Sequence, residues 1–125
     1  MTPFQHWMAL ALAGAVGTLA RAGVTAVAVR LMGTTFPWGT LLVNIAGAFA
    51  FGVIVGLSRS RLPTPHGLDT ILLVGLLGGF TTFSSYAFQA VDLWESGRPA
   101  LAGAYVVGSN LLGFAAVWAG MRLVS

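Results

Sequence analysis

The sequence predicts an all-α membrane protein in which residues 1–125 form a single domain of four transmembrane helices. The first observation behind this is composition. Of 125 residues, 57% are hydrophobic and 7% charged, where a soluble domain carries roughly a quarter charged residues. Lipid must therefore be the solvent for most of the surface. The second is spacing: windows of about 20 apolar residues, the length that crosses a bilayer as helix, fit the chain four times. The third is the polar stretch Gly78-Gly79-Phe80-Thr81-Thr82-Phe83-Ser84-Ser85-Tyr86 inside one of those windows. Glycines loosen a helix, and irregular backbone at membrane depth is tolerated only where protein buries it or where it lines a cavity.

The first span runs from about Phe4 to Leu31. It lacks a basic leader and exceeds the length of a signal-peptide apolar core, so it reads as a retained helix. Gly33 stops it, and Pro37-Trp38 start the second span, which ends near Leu57. A connection from Ser58 to His66 holds Arg59, Arg61, Pro63 and Pro65. The third span covers about Gly67 to Leu93, and the fourth about Ala100 to Val124, with Gly97 and Pro99 punctuating the turn between them.

Six arginines, no lysine and three acids give a net charge of +3. The arginines are scattered and make no basic stripe, which argues against a nucleic-acid partner. No cysteine is present, so neither disulfides nor thiolate metal sites are available. With four spans both termini share one side, which carries Arg59, Arg61 and Arg122 against Arg30 and Arg98 on the other. Three against two is weak asymmetry under the positive-inside rule. It leaves open a single orientation by a small margin or insertion both ways, with two copies packed antiparallel. Small residues at Ala48, Gly52 and Gly56, and at Gly75 and Gly79, suit close helix approach. Most such faces serve contacts within one bundle.

Polar groups within spans are costly in lipid, about 3 kcal/mol for an arginine at helix centre. Thr40 and Asn44 share one face of the second span, and Thr82, Ser85, Tyr86 and Gln89 share one face of the third. Tyr105 and Ser109 do so in the fourth, with Asn110 pointing about 100° away. The first span holds Thr18, Arg21 and Thr25. Single hydroxyls usually bond back to the preceding turn, but the amide of Asn44 cannot be satisfied locally. For Arg21 the alternatives are snorkelling, holding carbonyls at helix ends, or a pore role. The later three stripes together make a hydrophilic track. No Asp or Glu lies within a span core, since Asp69, Asp92 and Glu95 sit near ends. A lining of amide, hydroxyl and aromatic edge suits a small hydrated anion rather than a cation.

Gly14-x-x-Gly17-x-x-x-Arg21, Trp38-Gly39-Thr40-x-x-x-Asn44 and Gly78-Gly79-Phe80-Thr81-Thr82-Phe83-Ser84 together resemble the Fluc (CrcB) fluoride channels through all four spans. The resemblance implies a dual-topology homodimer in a prokaryotic plasma (inner) membrane. Its two antiparallel copies would enclose two fluoride pores, and the third helix would break near its middle. It further implies a structural sodium ion at the dimer centre, held by backbone carbonyls that fall on Gly78 and Thr81. Asn44, with Thr40 beside it, matches the pore asparagine region, and Phe83 matches the first of two pore phenylalanines. Tyr86 stands at the second, and Gln89 at a position often held by Glu. Ser84 and Ser85 match the polar track, Tyr105 and Ser109 match pore-facing residues of the fourth helix, and Arg21 matches a vestibule arginine. The expected function is passive fluoride export, with no enzymatic step. A small multidrug-type transporter would need a first-helix glutamate, and the first span has no acid.

Overall fold

A computed structural model describes residues 1–60, 64–65 and 67–125. Arg61, Pro63 and His66, assigned above to the second connection, lie outside the described residues. The described chain is helical throughout: α1 (Pro3–Met32), α2 (Trp38–Arg59), α3 (Leu68–Thr70), a π-helical stretch (Ile71–Leu76), α4 (Leu77–Phe80), α5 (Phe83–Glu95) and α6 (Pro99–Leu123). Four units are long and apolar enough to cross a membrane: α1, α2, Leu68–Glu95 as a whole, and α6. These helices begin and end within one or two residues of the expected spans.

Local chemistry explains the ends. Thr2 and Gln5 form a reciprocal capping box at the start of α1, followed by Pro3 in the first turn. Gly33 closes α1 at φ 78°, returning its N–H to the Val29 carbonyl. Large apolar side chains such as Phe4, Leu19, Phe88, Trp94, Phe114 and Trp118 are exposed, as expected of helices whose outer faces meet hydrocarbon.

Glycine sets the packing. A Cβ at Gly52 would meet the Val117 carbonyl oxygen, and one at Gly120 would meet that of Phe49. The α2 and α6 backbones therefore lie against each other, and the small-residue face of α2 is used within the subunit. α1 rests in the same way on the first half of the third span. A Cβ at Gly17 would meet the Leu76 carbonyl, and one at Gly79 would meet that of Gly14.

The third span breaks at Thr81 and Thr82, whose backbones are extended (φ, ψ of −94°, 158° and −148°, 119°). Gly78 and Gly79 remain in α4. The loosening expected of the glycines therefore appears two residues later, at two β-branched threonines that favour extended backbone. The glycines instead provide room for α1. Ahead of the break the helix is already widened, with the Leu77 N–H donating to the Leu72 carbonyl five residues back.

Candidate functional site

Breaking a helix releases backbone groups that lipid cannot satisfy, and the bundle supplies partners from both flanking helices. Asn44 of α2 clamps Thr82 on both sides: its Nδ2 donates to the Thr82 carbonyl at 3.0 Å, and its Oδ1 accepts the Thr82 N–H at 2.8 Å. One amide hydrogen of Asn44 remains beyond that pair. Arg21 of α1 donates from Nε to the Gly79 carbonyl at 3.0 Å. Of the alternatives the sequence left open for Arg21, the carbonyl-holding one is realised.

The threonines complete the break. Thr81 bonds back to Leu77 from both its N–H and its hydroxyl. Thr82 caps α5, its Oγ1 accepting the Ser85 N–H at 3.2 Å. No donor among the described residues reaches the carbonyl oxygens of Gly78 or Thr81, and Gly78 is exposed. No group of three or more His, Cys, Asp or Glu lies together among the described residues. Two free carbonyls at one break are oxygen ligands of the type a hard cation takes.

Beside the break lies a cavity of about 410 Å³, lined by Asn44, Thr81, Thr82, Phe83, Tyr86 and Gly78 together with apolar residues of α2, the third span and Val117 of α6. None of its lining residues is acidic. Phe83 projects with 78% of its surface exposed. From it a file of rings leads inward: Phe83 to Tyr86 at 5.8 Å, Tyr86 to Tyr105 at 5.2 Å, and Tyr105 to Phe36 at 5.3 Å, each edge-on. Edge-on packing sets the electropositive rim of one ring against the face of the next.

Polar groups accompany the rings. Tyr105, buried at 1% exposure, donates its hydroxyl to Gln89 Oε1 at 2.9 Å, and Thr40 is buried nearby at 4%. Asn110 Nδ2 donates to the Tyr86 hydroxyl at 2.9 Å and to the Val106 carbonyl at 2.8 Å. The residue set aside as lying off the α6 stripe therefore contacts the track. The signal available in sequence was only that an Asn sits in mid-span. The crossing of α5 over α6 turns it toward Tyr86.

Not every expected residue gathers here. Ser84, Ser85, Tyr105, Ser109 and Arg21 line neither this cavity nor a second one near Gln89. Ser84 is exposed. The Ser109 Oγ is buried with no partner within the described chain, so its hydrogen-bonding capacity is unspent.

Comparison with known proteins identifies the family. Residues 8–121 match the family model described as CrcB-like protein, Camphor Resistance (CrcB). A Rhizobium leguminosarum bv. trifolii protein named fluoride-specific ion channel FluC is 44% identical over 115 residues, 92% of each chain. Its Agrobacterium fabrum namesake is 44% identical over 91% of each chain. A Maridesulfovibrio salexigens protein of the same name is 38% identical over 95% of this chain and 94% of its own. With four helices fit to span a membrane and a family match from the first to the last of them, the chain belongs to the CrcB family.

Proposed function

We propose that the protein is a fluoride-selective channel of a bacterial plasma membrane, releasing cytoplasmic fluoride by passive conduction. The observation that carries this reading is similarity to fluoride-specific ion channels along more than nine-tenths of the chain. The lining chemistry supports it. The cavity at the break is lined by the amide of Asn44, the hydroxyls of Thr82 and Tyr86, and the rim of Phe83, with no carboxylate. Hydrogen donors replace the water lost by a small anion. A carboxylate in the same place would repel it.

Two copies inserted in opposite senses form the working unit and enclose two pores. The exposed ring of Phe83 and the exposed backbone at Gly78 are the groups a second copy would cover. Ser109, with a buried hydroxyl and no partner, joins the path as a donor, and Ser84 and Ser85 extend it. A sodium ion at the Gly78 and Thr81 carbonyls, two from each copy, would compensate the dipoles that meet where the breaks cross. Arg21 fixes the adjoining Gly79 carbonyl and adds positive charge to the approach.

Efflux from liposomes loaded with fluoride or chloride tests the reading. Fluoride is expected to leave rapidly and chloride to be retained; equal permeation would overturn selectivity. Crosslinking between copies reconstituted at low density tests the antiparallel pair, and a purely parallel pattern would end that part of the proposal.

A further inference from the structure

The ring file does not end at Tyr105. Beyond it lies a second, more enclosed cavity of about 190 Å³ at the end of the bundle, lined by Thr34, Thr35, Thr40, Gln89, Asp92 and Arg98 among others. Thr40, buried beside Tyr105, and Gln89, which accepts the Tyr105 hydroxyl, both line this chamber. The first turn of α2 (Trp38, Gly39 and Thr40) also lines it. That helix has no side-chain cap, and the Gly39 and Thr40 N–H groups, without an acceptor among the described residues, add partial positive charge.

Local structure fixes Arg98 at the rim. Gly97 takes φ 76°, its N–H returns to Trp94 at 3.2 Å, and the Arg98 N–H returns to Leu93 at 3.0 Å. This is the paired bonding of a Schellman C-cap, and it ties Arg98 to the buried Leu93. The guanidinium then donates from Nη1 to the Thr35 carbonyl at 2.8 Å, bridging the α5–α6 turn to the α1–α2 connection. One of its five N–H donors is used in that bond.

We propose that this chamber is the anion-collecting mouth of the pathway, with Arg98 raising and Asp92 lowering the local anion concentration. The inference rests on the proposed channel function for its physiological meaning, but its electrostatics are testable apart from conduction. A charge in a partly enclosed mouth concentrates counter-ions in proportion to its potential, and added salt screens the effect.

The chain contains no cysteine, so Thr34→Cys gives a single reactive thiol in the chamber. In purified protein, its modification by an anionic and a cationic methanethiosulfonate reagent reports local potential whether or not the protein conducts. Adding Arg98→Gln should lower the anionic-to-cationic rate ratio by about threefold at low salt, and Asp92→Asn should raise it by a similar factor. Both shifts should vanish at high salt, and Arg98→Lys should restore the ratio. In liposomes at low fluoride the same variants should slow and speed efflux respectively. A ratio indifferent to both substitutions, or moved in one direction by both, overturns the proposal. An altered ratio with no effect on efflux shows a charged chamber off the conduction route and also overturns it. Absence of fluoride efflux from the unmodified protein defeats the channel reading instead.

Discussion

The two halves of the third span are held by opposite means. From Leu68 to Phe80 the chain docks on α1 by omitting side chains, with Gly75 and Gly79 against Ala13, Gly14 and Thr18. From Phe83 to Glu95 it reaches α6 through side chains: Tyr86 to Asn110, and Gln89 to Tyr105. Backbone contact leaves no rotamer to adjust, so the first half is fixed to within a methyl group. Side-chain hydrogen bonds can exchange one partner for another at little net cost. The immobile half ends beside the carbonyls of Gly78 and Thr81, which have no donor among the described residues, and the adaptable half carries the hydroxyls and rings. The proposed cation would thus sit at the rigid side of the break and the proposed anion path on the side whose donors can exchange partners.

The contrast can be broken most severely at Gly17. A methyl there would enter the Leu76 carbonyl and crowd the Phe80 N–H, so Gly17→Ala should cost about 3 kcal/mol. Thermal unfolding in detergent measures this. Gly103→Ala, where a Cβ would meet nothing within 4 Å, is the matched substitution and should raise stability by up to about 1 kcal/mol. Equal behaviour of the two would show that α1 can stand off from the third span.

The hinge between the halves is the next target. Asn44→Asp keeps the acceptor for the Thr82 N–H but sets an oxygen against the Thr82 carbonyl. It also brings negative charge to the cavity. Fluoride efflux should fall roughly tenfold or more, the effect of about 1.4 kcal/mol of added repulsion; unchanged efflux would remove Asn44 from the path. The smallest effect is expected in the adaptable half. Tyr105→Phe deletes the bond to Gln89 while keeping the edge-on rings, and should cost about 1 kcal/mol. A loss as large as that at Gly17 would mean α5 is as rigidly fixed as α4.

Hydropathy alone placed the four spans, because the bilayer imposes a length that composition reveals directly. The unusual segment Gly78–Tyr86 also stood out, but the role of its glycines did not. Whether a glycine loosens a helix or admits a neighbour depends on what lies opposite. Gly14 and Gly17 lie opposite only after folding. The π-helical stretch Ile71–Leu76 left no mark in an ordinary apolar run. Asn44 was singled out for an amide that its own helix cannot satisfy, and the Thr82 backbone is its partner. Asn110 was missed because a stripe drawn on one helix ignores the angle at which another crosses it.

The carbonyl oxygens of Gly78 and Thr81, without a donor among the described residues, bear on the life of the protein before it functions. If the proposed antiparallel pair is the working unit, a newly inserted copy without its mate would leave unpartnered dipoles facing hydrocarbon, a defect worth several kcal/mol. Under that proposal surplus copies should be short-lived, cleared by membrane proteases unless synthesis delivers both orientations in step. Pulse-chase turnover at falling expression levels would register this as a half-life that shortens with dilution.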